Sequence, residues 1–128
     1  MPAVTPSTPV ASDEEIRRYV NAYIATSNAL GDAKIYLKLL EEETSDPQEL
    51  LSIIIQRREI EDKYAANEQS FLAFHAESMS MHPPSQDQVD TLVELASEVA
   101  QLAAQKATAQ MVFDVATSVA EKFDEIKG

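Results

Sequence analysis

Apolar residues recur along the chain at alternating intervals of three and four, in three successive segments. The repeat runs from Ile16 to Leu40, then from Leu50 to Met81, and finally from Leu92 to Phe123. This spacing places the apolar side chains along one stripe of an α-helix, as in coiled coils. The pattern therefore predicts three long amphipathic helices.

Each predicted helix begins with an N-terminal capping signal. Ser12 is followed by Glu15, and Ser85 by Gln88, at the spacing of a capping box. Asp46 precedes a proline, which is tolerated at the first helical position because its missing N–H has no partner there anyway. The predicted helices span about residues 13–43, 47–81 and 86–127.

The links between the helices are short, at Thr44-Ser45 and at Pro83-Pro84. Short links favour antiparallel neighbours. The predicted fold is all-α: an elongated antiparallel three-helix up-down-up bundle with coiled-coil-like seams, in a single domain over residues 12–128. Four helices would result if helix one broke at Gly31, but the repeat continues through this glycine and favours an unbroken helix.

Three polar residues, Arg57, Asn67 and Lys106, interrupt the apolar stripes. Folding the chain about its links predicts that Arg57 faces Asp32. Folding the chain about the second link places Lys106 opposite residue 60, which has a glutamate on either side. Such long charged side chains are typical of ion pairs that fix the register of neighbouring helices.

The first eleven residues, MPAVTPSTPVA, contain three prolines together with serine and threonine. This composition is typical of a flexible arm. The stretch lacks the basic residues and apolar core of a secretory signal, and no apolar run reaches the roughly 18 residues of a membrane span. We therefore expect a cytoplasmic protein without membrane contact, and leave export by a leaderless route open.

The chain is strongly acidic and contains no cysteine. Its 128 residues carry a net charge of −12, which repels nucleic-acid phosphates and anionic lipid. The absence of cysteine excludes thiolate metal sites and thiol catalysis. We expect no nucleic-acid partner, and a basic protein is the natural charged partner of such a surface.

The stretch HAESMSMH, residues 75–82, concentrates the two histidines and two of the four methionines. On a helix, His75, Met79 and His82 would share one face and could suit a soft metal such as copper. However, Pro83 pushes His82 out of the helical conformation, and methionine commonly fills gaps near helix ends. We interpret the stretch as the end of a helix and expect neither metal nor cofactor.

Sequence signatures of catalysis are missing. There is no HExxH, GxxxxGK[ST], GxGxxG or GxSxG motif, and no Glu-x-x-His pair of the kind that di-iron bundles use. The sequence therefore predicts a protein that is not an enzyme.

Two surfaces are candidates for contacts with other proteins. The first is an acidic stripe on the third helix, in a region without any basic residue from 85 to 105. It consists of Asp87, Asp90, Glu94 and Glu98. The second is a set of large apolar residues outside the core stripes, near the first link, which predicts self-association. It consists of Ile35, Leu39, Leu51, Ile55, Val112, Val115 and Val119.

These observations favour a non-enzymatic helical bundle that acts through protein–protein contact, as a scaffold, adaptor or assembly subunit. A homo-oligomer is expected, with a further protein partner that the sequence does not identify. The alternative is a small acidic inhibitor or immunity-type protein that covers a basic partner, an interpretation that rests on the acidic stripe.

Overall fold

The computed structural model describes residues 12–76 and 83–127, which form four helices. They are α1 (Asp13–Glu43), α2 (Pro47–Ala76), α3 (Gln86–Ala104) and α4 (Ala109–Lys127). The predicted all-α bundle is confirmed. The N-terminal arm, residues 1–11, and residues 77–82, which include Met79 and His82, lie outside the described residues.

The predicted helix starts are confirmed in atomic detail. At Ser12 and at Ser85, both halves of the capping box are formed, so that hydroxyl and carboxylate or amide groups satisfy free backbone donors. The Asp46 carboxylate accepts the backbone N–H of Glu49 at 2.9 Å. These local bonds set the boundaries between the arm, the links and the helices.

Helix α1 is continuous through Gly31, as the unbroken repeat predicts, and the alternative of a break at this glycine is wrong. Gly31 faces the ring of Tyr64 on α2. A Cβ built at Gly31 would lie 3.7 Å from Tyr64 Cε2, an ordinary van der Waals distance. The glycine is therefore not required for close packing of the two helices.

Helix α1 occupies the centre of the bundle and packs against each of the other three helices. Helix α3 runs parallel to it, and its start is held where Arg18 Nε donates to the Pro84 carbonyl at 2.8 Å. Among the described residues, α2 and α3 do not pack against each other. The expectation that they would be antiparallel neighbours is wrong, because α3 takes a place beside α1 instead.

The predicted third helix is divided into α3 and α4 by a turn at residues 105–108. Lys106 adopts the left-handed conformation, with φ of 58°. Its N–H donates to the Ala103 carbonyl at 3.2 Å, and the N–H of Ala107 donates to the Leu102 carbonyl at 2.9 Å. These two bonds form a Schellman motif with lysine in the position usually held by glycine. Thr108 then caps α4.

The position of α3 explains why the chain turns there. Gln86, the first residue of α3, lies beside Asn21 of α1, and the two helices run parallel. An unbroken third helix would therefore reach the level of Glu43, where α1 ends, near the observed turn. Beyond that point its apolar residues would have no helix to pack against. Turning back brings Val112 and Phe123 into the core, where both are almost completely buried.

Two predicted charge pairings are wrong. Arg57 contacts Glu41 and Glu61, the latter at 2.7 Å, and not Asp32. Helical side chains lean toward the N-terminus of their own helix, so Arg57 reaches toward the α1–α2 link, where Glu41 lies. Lys106 lies exposed in the α3–α4 turn and not against α2, because the helix that would have placed it there is broken.

Candidate functional site

A long groove, open to solvent, runs between the parallel helices α1 and α3. It has two stretches, of about 470 Å³ and about 280 Å³, which share Asp32 in their lining. We call it the α1–α3 groove. On α1 it is lined by Asn21, Ile24, Ala25, Asn28, Asp32, Ile35, Tyr36 and Leu39, and on α3 by Gln86, Val89, Asp90, Val93, Ala96, Ser97, Ala100 and Ala103.

Four large apolar side chains in this groove are exposed. Ile24 is 46% accessible, Ile35 68%, Leu39 47% and Val93 50%. Residues 21–39 of α1 extend over about 27 Å at the helical rise of 1.5 Å per residue. These side chains form an apolar strip, interrupted on α1 by Asn28 and Asp32, and exposed apolar groups clustered in this way usually mark a contact site for another molecule.

The shape of the groove follows from the residues on its two walls. The α1 wall carries large aliphatic side chains, whereas the lower α3 wall carries Ala96, Ala100 and Ala103. Small residues at three- and four-residue spacing permit the close approach of another helix, whose side chains fill the space between the walls. The two walls of the groove therefore differ in height, with large aliphatic side chains on α1 and mainly small ones on α3.

The charged residues that line the groove are acidic. Asp32 on α1 and Asp90 on α3 contribute carboxylates, and no lysine or arginine is among the lining residues of either stretch. The Asp90 carboxylate accepts a hydrogen bond from Gln86 Nε2 at 2.9 Å. One edge of the groove on α3 is thus negatively charged.

The predicted acidic stripe adjoins this edge. Asp90 belongs to both, and Glu94 follows it by one helical turn along the exposed surface of α3. All four carboxylates of the stripe, Asp87, Asp90, Glu94 and Glu98, are on exposed residues. Within the part of the chain that the structure describes, none of them takes part in an ion pair.

The predicted self-association patch is not one surface. Val112 and Val119 are completely buried and Val115 is half-buried, because α4 turns back into the core. Ile35 and Leu39 are exposed in the α1–α3 groove. Leu51 and Ile55 are also exposed, but lie on α2, away from the groove.

Sequence reasoning missed Ile24 and Val93 as site residues. Both lie outside the core stripes, and Ile24 is in phase with Ile35 and Leu39 along α1, at intervals of eleven and four. That phase could have indicated a second apolar strip on α1. That Val93 lines the groove could not be predicted from the sequence, because it depends on α3 lying beside α1.

A small, partly open pocket of about 40 Å³ lies next to Asn67, between α1, α2 and α4. Asn67 is 3% exposed, and neither atom of its amide has a hydrogen-bond partner within the described chain. About 10–15 Å³ of such space holds one water molecule, so the pocket has room for only a few waters. It is too small for an organic substrate, and Asn67 remains an interruption of the apolar seam, as in the sequence.

Residues with shifted pKa values are scattered and do not converge on one site. The Arg57 guanidinium, through its hydrogen bonds, holds the pKa of Glu41 below its ordinary value. Hydrogen bonds from Ser12 lower the pKa of Glu15 at the opposite end of α1. Burial raises the pKa of Tyr19 to about 12. Catalytic sites usually bring such groups together.

The chain offers no family assignment. Scans against protein-family models, curated proteins and solved structures each found no match.

No described helix has the length and hydropathy to cross a membrane. Among the described residues, no group of three or more metal-ligating side chains comes together.

Proposed function

We propose that this chain is a non-enzymatic interaction protein that binds a protein partner by receiving one of its helices in the α1–α3 groove. The observation that carries the proposal is the exposed apolar strip of Ile24, Ile35, Leu39 and Val93 along one groove. An amphipathic helix laid into such a groove buries its apolar face and keeps its polar face in water. This is the mode of action of a scaffold, adaptor or assembly subunit.

A helix is the occupant that the groove fits best. Its length of about 27 Å corresponds to roughly 18 helical residues, or five turns. The alanines of α3 allow an incoming helix to approach closely, while Ile35 and Leu39 supply the large side chains that would interdigitate with it. The bound helix would become the fifth helix of the bundle.

The acidic stripe supports a second candidate function, a small inhibitor that covers a basic protein. Its carboxylates are exposed and take part in no ion pair within the described chain, so they are available to a cationic surface. In this case the partner would contact α3 over the whole length of the stripe. Binding would then depend on Glu98 as strongly as on the residues of the groove.

The proposal is tested with a fluorescein-labelled peptide of about 18 residues, with leucines at helical spacing and glutamines elsewhere. Fluorescence anisotropy should show binding to the wild-type chain. Ile35→Gln should weaken it about tenfold or more, because burial of an isoleucine contributes about 1.5–3 kcal/mol. Met111→Gln is the matched control, since Met111 is 50% exposed on α4, outside the groove.

A leucine-scrambled peptide that binds equally well, or equal losses in the two variants, would contradict the proposal. Sedimentation velocity of the wild-type chain tests the rival occupant, a second copy. A dimer that dissociates on Ile35→Gln would place that copy in the groove. Affinity capture with the same pair of variants then identifies natural partners as proteins lost only with Ile35→Gln.

A further inference from the structure

We infer that the helix received by the α1–α3 groove is basic along the flank that lies against α3, so that the partner is a cationic amphipathic helix. This inference rests on the proposed function and adds the chemistry of the partner. Its basis is the sign of the charge along the groove, whose lining residues include Asp32 and Asp90 but no lysine or arginine.

The α3 wall carries only negative charge. Asp90 lines the groove, Glu94 lies one turn further on, and no lysine or arginine occurs between residues 85 and 105. An incoming carboxylate on this side would meet like charges without a compensating cation. A lysine or arginine would instead approach Asp90 in the groove and Glu94 on the adjoining exposed surface, neither of which has an ion-pair partner within the described residues.

The cations of α1 are placed differently. Arg18 is committed to the Pro84 carbonyl, and the ammonium of Lys34 lies 4.7 Å from the centre of the Tyr64 ring on α2. Neither of them, nor Arg17 or Lys38, is among the residues that line the groove. The α1 wall therefore contributes apolar side chains, the amides of Asn21 and Asn28 and the carboxylate of Asp32, and no cation.

The apolar strip and the carboxylates have different roles in recognition. The apolar strip contributes the affinity that any amphipathic helix of the right length would gain. The carboxylates select among such helices, because charge complementarity across an interface mainly determines specificity and the rate of association. Exposed charges of this kind are screened by salt, so the selectivity should decline as ionic strength rises.

The experiment compares three labelled peptides that share the same leucine pattern and differ in the remaining positions, which are lysine, glutamine or glutamate. At about 50 mM salt, the lysine peptide should bind the wild-type chain about tenfold more tightly than the glutamine peptide, and the glutamate peptide more weakly than both. The advantage of lysine should shrink to about twofold at 0.5 M salt, because the charges are then screened.

A pair of double variants separates local recognition from general attraction to an acidic protein. Asp90→Asn with Glu94→Gln should reduce the ratio of lysine-peptide affinity to glutamine-peptide affinity to about twofold. Glu121→Gln with Glu125→Gln, on exposed positions of α4, makes the same change in net charge and should preserve the advantage. Circular dichroism verifies that both variants keep their helicity.

The outcomes distinguish the inference from the proposed function. If the glutamine peptide binds in the groove but lysine brings no advantage, the inference is wrong and the proposed function stands. Equal losses of the lysine advantage in both double variants would also overturn it, since net charge alone would then account for binding. If none of the three peptides binds, the proposed function fails, and the inference fails with it.

Discussion

Replacement of Lys106 by glycine should stabilise this protein, although glycine normally weakens helical proteins. Lys106 has φ of 58° at the C-terminus of α3. An L-residue in this conformation costs about 1–2 kcal/mol, which glycine avoids. Glycine's greater freedom in the unfolded chain offsets about 0.5–1 kcal/mol of that gain. The free energy of unfolding should therefore rise by about 0.5–1 kcal/mol, and Tm by roughly 2–5 °C.

The sign of the effect tests the division of the predicted third helix. If residues 86–127 formed one continuous helix, glycine at position 106 would instead lower stability by about 0.5–1 kcal/mol, as glycine does in helix interiors. Urea denaturation followed by circular dichroism at 222 nm measures the change. Lys106→Ala is the control, because it removes the exposed side chain and keeps the strained backbone. A lower stability for Lys106→Gly than for Lys106→Ala would refute the turn and its Schellman geometry.

Two further predictions concern α1. Gly31→Ala should raise the free energy of unfolding by up to about 1 kcal/mol, because alanine is the better helix former and its Cβ would meet Tyr64 at an ordinary contact distance. A loss of stability in urea denaturation would instead show that α1 and α2 pack more tightly than described. Glu41→Gln should flatten the dependence of stability on pH. Arg57 lowers the pKa of Glu41 in the folded chain, so this contribution is complete above the unfolded pKa, about 4.3, and is lost as pH falls through the lower folded value. Urea titrations between pH 7 and pH 3 should show a steeper decline for the wild-type chain, and parallel curves for the two proteins would contradict the contact.

The candidate site could be predicted only in part. The exposure of Ile35 and Leu39 and of the acidic stripe follows from their positions outside the core repeat, and the structure places all of them at the surface. That Asp90 borders the same groove as Ile35 could not be predicted, because they lie on helices far apart in sequence. The contact between α1 and α3 depends on which helix α3 packs against in the folded chain.

The amino-acid sequence by itself determined the helices and most of their ends. Apolar spacing identified the buried face of each helix, including Leu30, Ile60 and Leu92, and the caps at Ser12 and Ser85 set the helix starts. These features are local: they depend on hydrogen bonds and side-chain spacing within a few turns of one helix. Local information of this kind is present in a single sequence.

The arrangement of the helices was decided only by the tertiary structure. Nothing local breaks the chain at Lys106, where an alanine-rich segment without glycine or proline favours a continuous helix. The turn forms because α1 ends at that level, and the apolar residues that follow can be buried only if the chain reverses. The free energy gained by burying Val112 and Phe123 therefore outweighs the strain at a single residue, and this balance exists only when α1 and α3 lie side by side.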